Sequence, residues 1–234
     1  MTIFGGFVEE YFKKNLEISD EVAKWLLDIK AVNFRPDDPY MFTAGWASPV
    51  YIDCRWIISF LQARRRLIDL SVKMLNERNI LASTDMIAGG ETAGIPYAAW
   101  ISEETSLPML YVRKNPKGFG KNAQIEGCLS HKSKVLLVED LATDGGSKVN
   151  FVKALQVAGA SVNDVFVIFF YDIFPGALET LRKNGITLHY LCTWHDVLRV
   201  AKSERYFEKS IIVSVENFLS DPVAWSGTNG GRSS

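Results

Sequence analysis

The chain has 234 residues, a formal net charge of −1, 47% hydrophobic and 23% charged residues, which fits one large globular domain or one domain with a small appendage. Near-neutral charge removes any overall electrostatic case for nucleic acid or an anionic membrane surface, and 17 Gly with 8 Pro are too few for a low-complexity chain. Cys54, Cys128 and Cys192 are few, odd in number and widely spaced, so neither a disulfide framework nor a zinc-binding pair is expected and a reducing compartment is.

Before any sustained apolar run come the acids Glu9 and Glu10, unlike a secretory signal, and no apolar stretch reaches the roughly 18 residues of a membrane span. A cytoplasmic location with no membrane partner is the expectation. From Ser19 to Lys30, Val22, Trp25, Leu26 and Ile29 share one helical face behind an acidic first turn, which predicts an amphipathic helix. Between Phe42 and Arg55, a turn bounded by Gly and Pro separates two short apolar segments that read as a hairpin or paired strands.

The pattern then changes to alternating helices and short apolar runs. Strands are predicted over Ser83 to Gly89, Leu107 to Val112, Lys134 to Glu139, Val162 to Tyr171 and Ile186 to Leu191. Helices are predicted over Gln62 to Glu77, Thr92 to Glu104, Ser147 to Ala158 and Pro175 to Lys183, with a mixed helical segment from Val197 to Leu219. Such alternation implies a mainly parallel sheet flanked by helices, an α/β fold. The expected organisation is an N-terminal hood with antiparallel strands over residues 1–60, a core over 61–225 and a flexible tail over 226–234.

In open α/β sheets, ligands gather beyond the carboxyl ends of the strands, and two segments there carry chemistry. The first, KVLLVEDLATDGGSK, runs from an apolar strand through Glu139 and Asp140 into a Thr143 to Ser147 turn that opens a helix. Backbone N–H groups, two hydroxyls and the positive helix end suit a phosphate, and Gly145 with Gly146 permits close backbone approach. The two acids suit sugar hydroxyls or a metal held through water. A plain surface turn with a helix cap accounts for the same residues, while the absence of GxxxxGK[ST] spacing disfavours a P-loop nucleotidase. A carboxylate aimed at phosphate would repel it, so the Asp144 side chain is expected to point away.

The second segment, YVRKNPKGFGKNAQIEG over Tyr111 to Gly127, carries Arg113, Lys114, Lys117 and Lys121 in a Gly-rich stretch with few apolar anchors. It reads either as a solvated basic loop or as one that closes over a polyanion. His131, His189 and His195 are scattered; His189, on an apolar strand, reads as a satisfied core or edge residue. With no His and Cys cluster, no protein metal site is predicted.

VLLVEDLATDGGS resembles the phosphoribosyl pyrophosphate motif of type I phosphoribosyltransferases, and the likeness extends in order from about Phe34 to Trp225. SPVYIDCR, GGETAGIP and the RKNPKGFGKNAQIEG loop are similar to the corresponding segments of orotate phosphoribosyltransferases. The resemblance implies that family's fold and a transfer of the phosphoribosyl group to orotate in UMP biosynthesis. It places Arg113, Lys114, Lys117, Glu139, Asp140, Leu141, Ala142, Thr143, Asp144, Gly145, Gly146 and Ser147 against phosphoribosyl pyrophosphate, with Lys117, Arg113 and Asp140 as the catalytic residues. Ser48, Tyr51, Ile52 and Thr143 are implied as orotate contacts, Mg²⁺ as an ion that arrives with the substrate, and a homodimer with shared active sites as the assembly. Phe119 stands where the family carries a loop His; Thr43, and Thr92 with Ala93, stand where relatives have Lys or Tyr-Lys. An Arg that some relatives use for orotate is replaced near Tyr171, and Arg55 is the candidate substitute charge. Two other readings are a phosphoribosyltransferase acting on a purine, disfavoured by Thr143 where purine enzymes often carry a carboxylate, and a noncatalytic nucleotide-binding regulator.

Overall fold

The computed structural model describes residues 3–42, 45–116, 124–173 and 176–233. Its first elements are α1 (Ile3–Asp28), β1 (Val32–Phe34), β2 (Tyr40–Met41), β3 (Ala47–Ser48), β4 (Val50–Ile52), a 3-10 helix (Cys54–Ser59) and α2 (Leu61–Glu77). There follow β5 (Met86–Gly90), α3 (Gly94–Thr105), β6 (Met109–Val112), β7 (Ile125–Glu126), β8 (Lys134–Ala142), α4 (Gly146–Val157), β9 (Ser161–Phe170), α5 (Ala177–Lys183) and β10 (Thr187–Thr193). The last are α6 (Trp194–Ser203), α7 (Lys209–Ser220) and α8 (Pro222–Thr228). Two compact units emerge: Met1–Phe60 together with Cys192–Ser234, and Leu61–Leu191.

In the first unit, α1 buries Val22, Ala23, Leu26 and Leu27 as an amphipathic stripe should. The helix begins at Ile3, well before the expected Ser19, and stops where Lys30 turns left-handed at φ 58°. Two antiparallel ladders follow, with Val32 opposite Ile52 in one and Tyr40 opposite Ser48 in the other. The segments expected to pair with each other between Phe42 and Arg55 therefore pair with chain upstream of them. The helical segment after residue 193 is broken between α6 and α7, where Arg205 takes φ 59°. Thr193 and Asp196 form a capping box at the start of α6, and Trp194 at that start is fully buried, its ring 6.0 Å from Phe34.

The second unit is built on a six-stranded sheet in the order β10-β9-β8-β5-β6-β7. β5 pairs in parallel with β6 and β8, and β8 with β9, while β7 runs antiparallel to β6. All five apolar runs read from the sequence become strands; β7, of two residues, is too short to show as such a run. Central parallel strands are covered on both faces and so read as continuous apolar runs. Leu137 of β8 and Val165 and Val167 of β9 share one core cluster with Val152 and Leu155 of α4, while Leu136, Val138 and Phe166, which alternate with them along the strands, are buried as well. Each such side chain contributes about 1.5–3 kcal/mol through the area it removes from water.

This order positions a site. The chain leaves β5 toward β6 on one side and returns to build β8 on the other, so the connections beyond the carboxyl ends of β5 and β8 diverge and leave a crevice. Gly94 lets α3 approach β8 there, and Gly90 at the end of β5 leaves room for a β8 side chain. A Cβ at Gly94 would run into the Val138 carbonyl oxygen and lie 2.7 Å from Glu139 Oε1, and one at Gly90 would fall on the Glu139 carboxylate. Gly94→Ala is expected to cost about 1–3 kcal/mol of overpacking, because the nearest obstacle is backbone. Thermal unfolding checks this: a midpoint equal to that of the unsubstituted protein would contradict the packing.

Candidate active site

β8 carries its apolar run straight into Glu139 and Asp140, and both acids are buried. Glu139 Oε2 accepts a 3.1 Å hydrogen bond from Lys148 Nζ, whose side chain is buried as well. Glu139 Oε1 is buried and has no hydrogen-bond partner among the described residues. Burial pushes the Glu139 carboxyl above its usual range; the Lys148 ammonium opposes that rise and Asp140 adds to it. Lys148 escapes a reading of the sequence, because a lysine just inside a helix looks like part of a solvated face.

Beyond Ala142 the chain turns through Thr143 and Asp144, both exposed, to Gly145 and the start of α4. Gly145 sits at φ 80° with its would-be Cβ 3.0 Å from Leu181 Cγ, so a left-handed backbone against a packed side chain requires glycine. Leu141 is half-buried and Ala142 and Gly145 are buried, leaving Thr143, Asp144 and Ser147 as the exposed part of the motif. Contrary to expectation, the Asp144 carboxylate does not turn away from the cradle: its Oδ1 accepts the Gly146 N–H at 3.0 Å. A short carboxylate two residues before a free helix-start N–H readily makes this turn.

Arg113 and Lys114 follow β6 on the far side of the β5 end. Arg113 Nη1 lies 3.6 Å from Glu126 Oε1 on the adjacent β7, and its backbone N–H donates to the Gln124 carbonyl. The Lys114 backbone N–H donates to Glu91 Oε2 at 2.6 Å, and Gln124 Nε2 donates to the Arg113 carbonyl. Glu91, Gln124 and Glu126 thus anchor both strands of the basic segment at its root; they lie inside the segments GGETAGIP and RKNPKGFGKNAQIEG, but the sequence alone gives them no role. Lys117, Phe119 and Lys121 lie outside the described residues, as does Thr43.

The residues expected at the pyrimidine belong to the first unit. Ser48 is buried, and its hydroxyl both donates to the Val50 carbonyl and accepts the Val50 N–H. Ile52 points into the core, whereas Tyr51 alternates to the half-buried side, its ring 5.0 Å from Tyr40. Arg55 is held by Asp53 through bonds of 2.6 and 2.7 Å, so its charge is already paired within the same segment. Tyr171, near the position of the replaced arginine, is buried edge-on against Phe169.

His189, in β10, is buried with its Nε2 2.7 Å from Asp164 Oδ1, a satisfied core residue as its sequence context suggests. Among the described residues no group of three or more His, Cys, Asp or Glu is placed to hold a metal ion, and no helix is long and apolar enough to cross a membrane.

No family model matches the chain. It is 51% identical over 213 residues to an orotate phosphoribosyltransferase of a Ruegeria species, covering 91% of this chain and 94% of that protein. The chain belongs to the orotate phosphoribosyltransferase family. Solved structures agree with that membership. The chain resembles the orotate phosphoribosyltransferase of Aeropyrum pernix with a TM-score of 0.66 and 26% identity, covering 79% of this chain and 99% of that one. It also resembles the UMP synthase of Leishmania donovani, with a TM-score of 0.74, 29% identity and 86% of this chain covered, and it spans 42% of that longer protein. As a member of the family the chain is an enzyme of pyrimidine biosynthesis.

Proposed function

We propose that the chain transfers the phosphoribosyl group of phosphoribosyl pyrophosphate to N1 of orotate, giving orotidine 5′-monophosphate and pyrophosphate. The observation that carries this reading is Glu139: a buried acid with one oxygen lacking a partner among the described residues, at the end of a central parallel strand and beside the N-terminus of α4. Such an oxygen needs a donor, and a ribose hydroxyl is one. Asp140 beside it takes the second hydroxyl, while Thr143, Ser147 and the backbone N–H groups of Asp144, Gly145 and Ser147 hold the 5′-phosphate, the Gly146 N–H being taken by Asp144, with Leu141 and Ala142 fixing the approach.

Departure of pyrophosphate leaves positive charge on the ribose, which the Glu139 and Asp140 carboxylates favour, and negative charge on the leaving group, which Arg113, Lys114 and Lys117 neutralise. Orotate N1 attacks as an anion, so no general base is needed; the enzyme's task is to orient two reactants. The two buried acids fit a cation-loaded substrate. Mg²⁺ would be held mainly by phosphate oxygens, ribose oxygens and water, and would supply charge neutralisation at the pyrophosphate.

Ser48, Tyr51, Ile52 and Thr143 are the proposed orotate contacts. The internal bonding of Ser48 and the burial of Ile52 favour contact through their backbone and the Tyr51 ring rather than through their side chains. On this reading residues 1–60 act as a hood for the pyrimidine, residues 61–225 carry the transfer chemistry, and the enzyme works in the cytoplasm. It acts as a homodimer, for which Trp56 and Phe60, large apolar side chains exposed on the 3-10 helix and its end, offer a surface within the first unit. Substrate choice tests the central claim. Given phosphoribosyl pyrophosphate and Mg²⁺, the protein should consume orotate and leave uracil, adenine and hypoxanthine nearly untouched, and a purine that reacts faster than orotate would refute it.

A further inference from the structure

We propose that Lys148 is a positioning residue for the phosphoribosyl site, a buried strut that sets the ribose-holding acid and the phosphate-holding hydroxyl in their working roles. The proposal rests on the assignment of Glu139 to the ribose and Ser147 to the phosphate given above. Lys148 Nζ donates to Glu139 Oε2 at 3.1 Å and to Ser147 Oγ at 3.2 Å. Both ends of the Glu139 to Lys148 pair are buried, at 6% and 5% exposure, so the ammonium lies behind the motif rather than in solvent.

The direction of each bond matters. A ribose hydroxyl needs an acceptor and a phosphate needs a donor. By occupying Oε2, Lys148 turns the Glu139 carboxylate so that Oε1, which has no partner among the described residues, is the oxygen left to accept. By donating to Ser147 Oγ, it fills a lone pair of that hydroxyl and leaves the hydroxyl hydrogen to point elsewhere, toward an anion. One cation therefore assigns opposite hydrogen-bonding roles to two groups that must face opposite needs of one substrate.

A purely structural role accounts poorly for this arrangement. A buried ion pair is a weak source of stability, since apolar residues of similar volume commonly do as well or better, whereas removing one partner strands the other's charge. Nor is Lys148 needed to close the turn, whose left-handed residue is Gly145 and whose helix-start N–H is taken by Asp144. Gly90 and Gly94 add a constraint from the other side: their missing Cβ atoms make the room in which the Glu139 carboxylate lies, so its position is fixed by glycines on one flank and by Lys148 on the other.

The experiment is a binding cycle read by calorimetry with phosphoribosyl pyrophosphate and Mg²⁺, without orotate so that nothing turns over, on the full chain. Lys148→Met keeps the stem and removes the charge; it should weaken binding at least about tenfold. Glu139→Gln should weaken it too, and adding Lys148→Met to that variant should cost clearly less than it does alone, because the two residues act as a unit. The double variant, with both charges gone, should also recover thermal stability lost in Lys148→Met, which separates folding from binding. Should Lys148→Met not fold, Lys148→Leu, which likewise removes the charge and every side-chain N–H donor, takes its place with the same expectations. Binding in Glu139→Gln at the unsubstituted level would sink the ribose assignment and the proposal with it. If Glu139→Gln binds weakly but the folded Lys148 variant binds normally, or if Lys148→Met costs as much when added to Glu139→Gln as it does alone, the ribose assignment stands and the positioning role fails.

Discussion

Gly145→Val is expected to lower affinity for phosphoribosyl pyrophosphate at least about a hundredfold, the loss of roughly two charge-assisted hydrogen bonds. The reason lies in the backbone. Gly145 holds φ 80°, which a β-branched residue reaches only with strain, and its Cβ would point at the Leu181 side chain rather than toward the bound anion. Relief requires the turn to unwind, and the N–H groups of Gly145 and Ser147 then lose their common aim. Gly146→Ala supplies the comparison: its Cβ would meet nothing nearer than Asp144 Oδ1 at 3.6 Å, so the fold should be unaffected and any lost affinity would come from crowding of the ligand alone. Calorimetric affinity of Gly145→Val at the unsubstituted level would remove the phosphate from this turn.

The phosphate motif is legible in the sequence because its parts are local. A buried parallel strand writes itself as an unbroken apolar run, and LLV followed by two acids, a Gly pair and a helical pattern leaves little freedom for β8 and α4. What the sequence hides depends on distance along the chain or on geometry after folding. Lys148 looks like a solvated helix residue until β8 is laid beside α4, nine positions of sequence separating it from Glu139. Glu91 and Lys114 are 23 residues apart, yet the parallel register of β5 with β6 brings them together.

Local signals also mislead where two partners compete. The short strands between Phe42 and Arg55 have turn residues between them, which favours pairing with each other, but the upstream strands β1 and β2 take both. Arg55 reads as a spare charge, although Asp53, two positions earlier, is there in the sequence to pair it. At the N-terminus, Gly5 and Gly6 and the lack of acids in the first turn argue against a helix start, yet α1 begins at Ile3. Weak propensity there yields to continuation of a helix that is already anchored by the buried face from Val22 to Leu27.

Mixing Lys117→Ala protein with Asp140→Ala protein, each inactive alone, is expected to restore about a quarter of the unsubstituted activity after subunit exchange, if the basic loop serves the partner's site. Random exchange makes half the dimers mixed, and in each mixed dimer one of two sites receives an intact Lys117 from one chain and an intact Asp140 from the other. The placement of the two residues in sequence supports this test, since Asp140 belongs to β8, and Lys117 to the segment between Arg113 and Lys121, rich in Lys and Gly and poor in apolar anchors. Cations in such a segment repay the entropy of ordering it only when phosphate charge is present, wherever that charge lies within reach. Neither parent can regain activity by itself, so recovered turnover reports sharing and nothing else. The decisive control is a tagged purification or native mass measurement that proves mixed dimers have formed. Mixed dimers that remain as inactive as their parents would show that each loop serves its own chain, and a monomer in dilute sedimentation with full activity would make the same point without any substitution.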